Sequence, residues 1–297
     1  MSGRAIVDAH HHLWDTRQHP YPWLSGPPFA PSVAGDVSKI AGNYLVDDFL
    51  GDAAGYEVRK SVHIDGGSPN TVAETRWLAT IGEKYGLPNA IVAGVKLHQA
   101  DIDVQLEKHA AFPALRGVRQ ILNWDPDPLL TFTDRPDYMT DPAWLAGYAL
   151  LSKHKLSFDL QIYPWQLRDA AVLAARHPDT SIILNHAGMP FHQRGSGLES
   201  WRQGMRLLAR NPNAAVKISG LGMVDWNWTT QSIRPLVLET IDVFGIDRCM
   251  FASNFPVDRL YSSFETLFRS FEYIVEDFNA GEQDKLFLSN AERYYNI

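Results

Sequence analysis

Three histidines are the side chains of this sequence best suited to chemistry. His10 and His12 are separated by one residue at the end of an apolar run, and His186 follows another apolar run. Residues two apart share a face of a β-strand, so His10 and His12 can reach one ion or one substrate oxygen. Each signal is weak by itself, because a short histidine cluster is as often a loop and a single histidine is more often structural. Their meaning therefore depends on the elements that position them.

Apolar runs of strand length recur along the whole chain and alternate with segments of helical periodicity, such as 68–85, 141–154, 164–177, 198–211 and 232–244. This alternation predicts a single domain over residues 1–297 with the fold of a (β/α)8 TIM-type barrel. The predicted strands are Ala5–His12, Val58–Asp65, Ala90–His98, Leu115–Leu122, Ser157–Tyr163, Ser181–Gly188, Ala214–Leu221 and Cys249–Pro256.

Two long inserts interrupt the repeat, Leu13–Asn43 after strand 1 and Asn123–Pro142 after strand 4. Active sites of such barrels lie at the carboxyl ends of the strands, so both inserts are expected to wall or cover the site. Trp14, in the first insert, could line a substrate pocket together with Tyr21 and Trp23. It could equally do no more than pack the insert against the barrel.

Strand parity predicts which side chains point to the barrel axis. Phe158, Leu160 and Ile162 of strand 5, and Val62 and Ile64 of strand 2, are apolar on one parity, which we assign to the helix side. The residues of the opposite parity then point inward, and many of them are polar. They are His63 and Asp65 in strand 2, Lys96 and His98 in strand 3, Arg119 in strand 4, Asp159, Gln161 and Tyr163 in strand 5, and Lys217 and Ser219 in strand 7. Burying so many ionisable groups is costly unless they are paired, hydrated or bound to a ligand. This set favours a functional site over a structural plug.

Composition excludes several classes of protein. The 297 residues carry 27 Lys plus Arg against 34 Asp plus Glu, a net charge of −7, which argues against a nucleic-acid partner. The segment 1–8 lacks a signal-peptide core and no apolar run is long enough to span a membrane, so we expect a soluble, cytoplasmic protein without a membrane partner. A single cysteine, Cys249, excludes an internal disulfide and any multi-cysteine metal site.

Motifs at the strand ends make the family recognisable. The chain resembles the amidohydrolase superfamily, in particular its lactonase-like branch, which includes sugar-lactone and 2-pyrone-4,6-dicarboxylate lactonases. The resemblance implies a somewhat distorted barrel that hydrolyses lactone rings and holds one divalent metal, zinc first among them, or none. The matching segments are Asp8-Ala9-His10-His11-His12-Leu13-Trp14, Arg116-Gly117-Val118-Arg119, Phe158-Asp159-Leu160-Gln161, Asn185-His186-Ala187-Gly188-Met189-Pro190 and Phe251-Ala252-Ser253-Asn254-Phe255-Pro256.

Asn254 departs from the superfamily pattern, which has at this position an aspartate that deprotonates the attacking water. A carboxamide cannot accept that proton, so Asn254 can orient water or substrate but cannot be the general base. It also offers a metal a neutral oxygen in place of an anionic one.

The proton must then go to another group, and the candidates are His10, His12, His186, Asp159 and Asp258. We expect Asp258 to be a surface charge and Asp159 to pair with Arg119 or Lys217. An imidazole has an unperturbed pKa of about 6.5, which suits a base near neutral pH, so we prefer a histidine.

The predicted function is hydrolysis of a small polar lactone, a sugar-acid or carboxylated one, by water that a histidine or a histidine-bound metal activates. His10, His12, His186 and Asn254 are the predicted catalytic residues, and the three histidines are the predicted ligands of any metal. Arg119, helped by Lys96 or Lys217, is expected to bind a substrate carboxylate and to stabilise the oxyanion. The further predicted substrate-binding residues are His63, Asp159, Gln161, Tyr163 and Trp14.

Two alternatives to a lactonase stay open. The same histidines could serve metal-dependent decarboxylation of an aromatic acid. The replacement at Asn254 also allows a non-catalytic protein that binds a small molecule.

Overall fold

A computed structural model describes residues 3–29, 32–191 and 197–297. Within these ranges eight parallel strands pair in chain order from first to last, and this barrel confirms the predicted fold class. The strands are β1 Ala5–His11, β2 Glu57–Ile64, β3 Ala90–Gly94, β4 Leu115–Ile121, β5 Ser157–Gln161, β6 Ile182–Leu184, β7 Ala214–Ile218 and β8 Cys249–Phe251.

Helices follow the strands and cover the outside of the barrel. The periodic segments of the sequence all become helical, although Pro164–Gln166 forms a separate 3-10 turn before its helix. The α-helices of the described residues are α1 Val46–Asp52, α2 Thr71–Tyr85, α3 Ile102–Ala110, α4 Pro142–Lys153, α5 Leu167–Arg176, α6 Gly197–Ala209, α7 Thr230–Phe244, α8 Phe264–Ile274, α9 Ala280–Asp284 and α10 Asn290–Tyr295.

The barrel closes between β1 and the segment that follows β8. His11 and Phe255 form an isolated parallel bridge, and the Asn254 amide donates to the His10 carbonyl at 2.8 Å. The buried Asp8 carboxylate accepts from the Ser253 amide at 2.9 Å and from the Ser253 hydroxyl at 2.5 Å. We call these contacts the closure seam.

Two apolar cores lie on either side of the strands. The larger core fills the space between strands and helices, and the smaller one lies inside the barrel. The inside core contains Val62 and Ile64, so the predicted parity of β2 is wrong. Assigning apolar residues to the helix side fails here, because part of the barrel interior is itself apolar. The parities of β5 and β7 are as predicted, since Phe158 and Val216 pack in the outer core.

Several strands end earlier than predicted. β3 ends at Gly94, so Lys96 lies exposed and His98 half-buried in the turn that follows, and neither is an inward strand residue. β6 ends at Leu184, and His186–Gly188 forms a 3-10 turn instead of continuing the strand. These residues leave the ladder where the chain turns towards the next helix.

Both inserts lie at the carboxyl ends of the strands, as predicted. The first contains the 3-10 turns Pro22–Leu24 and Val37–Ile40, and an antiparallel bridge between Trp14 and Tyr44 brings its two ends together. The second contains the 3-10 turn Tyr138–Thr140.

The last helix closes the amino-terminal end of the barrel with Tyr295, which is fully buried in the inside core with Val7, Ala9 and Ala291. Its hydroxyl donates to both oxygens of Asp159, at 3.0 and 2.9 Å. The side chain therefore supplies apolar contact area and satisfies part of a buried carboxylate.

Replacing Tyr295 by alanine should lower the free energy of unfolding by about 3–5 kcal/mol, because the surrounding strands cannot collapse into the space left. Tyr294→Ala is the matched control, since its half-buried ring should cost only about 1 kcal/mol. Urea unfolding followed by circular dichroism measures both values, and equal losses for the two variants would contradict this role of Tyr295.

Candidate active site

The histidines of β1 are aimed by an irregularity in the strand. Val7 and Ala9 pack inside the barrel, and the register of β1 on β2 shifts between Asp8 and His11. Such a shift re-aims the side chains that follow it. Beyond it, His11 stacks on Phe49 of the outer core with ring centroids 4.2 Å apart, and the rings of His10 and His12 face the site.

His10 lies at the centre of the three predicted histidines. Its ring centroid is 5.1 Å from that of His12 and 4.6 Å from that of His186. The structure therefore brings the three residues together, as the sequence predicts. The side chain is fully buried, and neither ring nitrogen has a hydrogen-bond partner among the described residues. Buried polar atoms normally have a hydrogen-bond partner, so the two nitrogens of this ring are suited to bind a ligand.

His12 and His186 are each held by one ring nitrogen. His12 Nδ1 lies 2.8 Å from the Ile64 carbonyl, which can only accept, so Nδ1 carries the proton and Nε2 carries the lone pair. His186 Nδ1 lies 3.0 Å from Ser219 Oγ. Within the described residues, no hydrogen bond occupies Nε2 of either ring. Both Nε2 atoms are thus available to a substrate, a water or a metal.

The backbone that presents His186 is unusual. His186, Ala187 and Met189 have φ values of 55°, 49° and 49°, in the left-handed region that non-glycine residues seldom adopt. The loop after β7 packs tightly on the ring, because a Cβ at Gly220 would lie 2.4 Å from His186 Nδ1. Strained backbone of this kind is often found where a side chain must be held for function.

Burial keeps the imidazoles neutral. It lowers the pKa of His10 and His186 well below 6.5, and the nearby cations Lys217 and Arg119 lower both further. Burial and Arg119 lower the pKa of His12 to about 3. At neutral pH the cluster therefore offers lone pairs and no positive charge of its own.

Lys217 and Asp159 form an ion pair on the barrel axis, with both side chains fully buried and Nζ 2.6 Å from Oδ1. Asn185 Nδ2 donates to the same oxygen at 2.9 Å. Burial lowers the pKa of Lys217 to about 8 although Asp159 acts in the other direction. The described residues around Asp159 satisfy its carboxylate, and the pair lies near the histidines, since Lys217 lowers the pKa of His10.

Arg119 is held in place by Asp65 and Gln161. Its Nε donates to Asp65 Oδ2 at 2.5 Å, its Nη2 to the Asp65 carbonyl at 2.6 Å, and its Nη1 to Gln161 Oε1 at 3.2 Å. One N–H on each Nη atom is left for a further acceptor. The guanidinium is 5% exposed, so these groups act in a site of low dielectric constant.

Four other predicted substrate-binding residues have different surroundings. Lys96 is exposed beyond β3, apart from the buried cluster. His63 bonds the Leu13 carbonyl through Nε2 at 3.1 Å and lies on the outer side of β2. Tyr163 donates to the Leu130 carbonyl of the second insert at 2.7 Å. Trp14 is fully buried against Tyr21, Trp23 and Tyr44, with its ring 6.1 Å from that of His12, so it packs the first insert onto the barrel.

Asn254 and Asp258 form a buried pair beside the histidines. Asn254 Nδ2 donates to Asp258 Oδ1 at 3.2 Å, and the two residues are 2% and 3% exposed. The expectation that Asp258 is a surface charge is therefore wrong. The 3-10 turn Val257–Leu260 turns the carboxyl inward, which a spacing of four residues alone does not show. Burial raises the pKa of Asp258 to about 8.

The donor chemistry of the histidines fits a divalent metal, although the described side chains, as placed, form no group of three or more histidines, cysteines or acids arranged to hold one. His10 has two unsatisfied ring nitrogens, and His12 is fixed through Nδ1 as metal-binding histidines commonly are. Neutral imidazoles suit zinc. The neutral carboxamide of Asn254 in place of an aspartate would weaken such a site.

Comparison with known proteins shows the family to which the chain belongs. A family model described as amidohydrolase matches residues 7–297. The chain belongs to the amidohydrolase family. This amidohydrolase is 43% identical over 299 residues to y4mH of Sinorhizobium fredii, described as uncharacterized, with 100% of each chain covered.

Two further relatives are more distant. The L-fucono-1,5-lactonase of Burkholderia ambifaria is 26% identical over 265 residues, which cover 87% of this chain and 82% of the lactonase. The crystal structure of an amidohydrolase from Burkholderia multivorans with bound zinc superposes with a TM-score of 0.82 at 24% identity, covering 99% of each chain. Among the described residues of this amidohydrolase, no helix is long and apolar enough to cross a bilayer.

Sequence reasoning did not assign roles to three residues that support the site. Ser219 orients His186, Asp65 orients Arg119, and Asp8 holds the closure seam. The sequence gives one signal for Ser219 and Asp65: both are polar residues on the predicted inward parity near the end of a strand.

Lys217→Met should lower the free energy of unfolding by about 3–5 kcal/mol, because it leaves Asp159 buried without its cation. The double variant Asp159→Asn/Lys217→Met should recover most of the loss. Arg202→Met removes the half-exposed pair with Glu239 and should cost at most about 1 kcal/mol, which provides the control. Denaturant titration of the four proteins checks this, and a double variant no more stable than Lys217→Met would contradict it.

Proposed function

We propose that this amidohydrolase hydrolyses a small polar lactone, a sugar-acid or carboxylated one, at the carboxyl ends of the barrel strands. The observation that carries the proposal is the buried ring of His10, whose two nitrogens lack partners among the described residues while it contacts His12 and His186. The similarity to an L-fucono-1,5-lactonase supports the reaction class.

The free N–H groups of Arg119 suit the oxygens of such a substrate. A guanidinium offers parallel donors to a carboxylate or to neighbouring hydroxyls, and Asp65 and Gln161 keep it from rotating. The same donors can stabilise the oxyanion that forms when the lactone carbonyl is attacked, because they need no reorganisation.

Water would be activated by the lone pair of a neutral imidazole, on Nε2 of His12 or His186. The water oxygen bonds to the carbonyl carbon while its proton passes to the imidazole. The ester bond to the ring oxygen then breaks, and that oxygen takes the proton. The products are a hydroxy acid in its carboxylate form and one proton released to the medium.

A divalent metal, if bound, would be held by His10, His12 and His186, and it would polarise the lactone carbonyl or lower the pKa of water. Asn254 lies beside this cluster and can donate or accept a hydrogen bond to the reacting group.

A decarboxylase of an aromatic acid would use the same histidines and is the second candidate. The buried guanidinium of Arg119 suits an aromatic carboxylate as well as a carboxylated lactone. Release of carbon dioxide from a panel of aromatic acids, without proton release from any lactone, would favour it. Tight binding of lactones or sugar acids without turnover would instead indicate a binding protein.

A panel of sugar-acid and dicarboxylate lactones, followed by proton release with and without chelator, tests the reaction directly. For a lactone that is turned over, His186→Asn should lower kcat/KM by about 100-fold or more, because it removes a group proposed to bind or activate the water. His109→Asn, which alters a buried histidine bonded to Thr71 and Thr75, is the matched control. An unchanged kcat/KM in His186→Asn would exclude that residue from the mechanism.

Zinc should bind weakly, at no more than one ion per chain, and Asn254→Asp should raise its affinity by about tenfold or more by adding an anionic ligand. Competition with a fluorescent zinc chelator measures both affinities without a substrate. Equal affinities in the two proteins would place Asn254 away from the metal.

A further inference from the structure

Asn254 stands where the superfamily has its catalytic aspartate, and its side chain is not free to turn. Nδ2 donates to Asp258 Oδ1 at 3.2 Å and lies 3.8 Å from the sulfur of Met223. The nitrogen and oxygen of a carboxamide are bonded to one planar carbon at a fixed angle, so a partner that fixes Nδ2 also fixes the direction of Oδ1. Asp258 therefore decides which end of Asn254 is presented away from it.

The surroundings of Asp258 connect it to the histidines. The backbone N–H of Gly220 acts against the raised pKa of this carboxyl, so the loop after β7 lies beside Asp258. Gly220 in turn packs directly on the ring of His186. Asn254 is also connected to His10 through the closure seam, because its backbone N–H donates to the His10 carbonyl. Asp258 thus lies beside the loop that packs on His186, and through Asn254 it is connected to the segment that carries His10.

Among the described residues, no cation forms an ion pair with Asp258 to offset the cost of burying its carboxyl group. Arg259 is directed to Asp52, with Nε 3.8 Å from Oδ2, and Tyr261 donates to the Ala34 carbonyl. A buried carboxyl without a cation is costly, and an apolar residue would pack there at lower cost. Such a cost is typical of functional sites, and the raised pKa of Asp258 agrees with it.

We propose that Asp258 is a positioning residue of the active site, which holds Asn254 by its carboxamide nitrogen so that Asn254 presents its oxygen to the reacting water. This deepens the proposed function and rests on it. In this chain the end of β8 thus offers a carboxamide at Asn254 and a buried carboxyl four residues further along, at Asp258.

Asp258→Ala should lower kcat for the lactone by about 10–100-fold and leave KM within about twofold, because Asn254 loses its orientation while Arg119 still binds substrate. Asp258→Asn should keep most of kcat, since a carboxamide oxygen accepts the same hydrogen bond. Thr240→Ala removes another fully buried polar side chain, in α7 and bonded to Leu236, and is the control for loss of buried polar contacts. Wild-type kcat in Asp258→Ala, or equal losses in Asp258→Ala and Asp258→Asn, would overturn the positioning role.

A second measurement does not depend on activity. In protein labelled with 15N-asparagine, the Nδ2 protons of Asn254, identified by their loss in Asn254→Ser, should exchange slowly with water. They should exchange at least about tenfold faster in Asp258→Ala than in Asp258→Asn. If no lactone is hydrolysed, the proposed function fails while this measurement still tests the hydrogen bond; equal exchange in all variants would reject the positioning role by itself.

Discussion

The site depends on the closure of the barrel between β1 and the chain after β8. His10 and His12 lie at the end of the first strand and Asn254 lies just after the last, yet His10 and Asn254 are 244 positions apart in the sequence. The bond from the Asn254 amide to the His10 carbonyl, together with the Asp8 and Ser253 contacts, brings them to adjacent positions. The closure seam consists of one isolated bridge and a few buried hydrogen bonds, and these involve the backbone of His10 and Asn254. The contacts that close the barrel therefore also fix the positions of these two site residues.

Electrostatics inside the barrel follow from the way its charges are paired. Lys217 is matched by Asp159, and Arg119 by Asp65, so the axis holds two cations without a large net charge. Burial, together with the fields of these cations, keeps the three histidines neutral. Neutral imidazoles are good ligands for metals and good acceptors of hydrogen bonds, so each of the three can offer a lone pair to the site.

Much of the fold follows from local pattern. Alternating apolar runs and helical periodicity predict the barrel, because each strand must be buried and each helix must cover it. The inward parity of Asp159, Gln161 and Lys217 is also predicted correctly, since in β5 and β7 the apolar faces meet the helices. In β2 the same rule fails, because Val62 and Ile64 fill the apolar interior, and His63 consequently turns outward.

The sequence by itself determined the fold class, the family and the three histidines at one end of the barrel, because spacing and strand order decide which residues reach that end. Only the tertiary structure decided how those residues are used. The shift in β1, the left-handed turn at His186 and the burial of Asp258 depend on contacts between distant segments. A strand pattern cannot show whether a carboxyl four residues beyond Asn254 faces water or the interior, because that depends on the loop after β7 which packs against it.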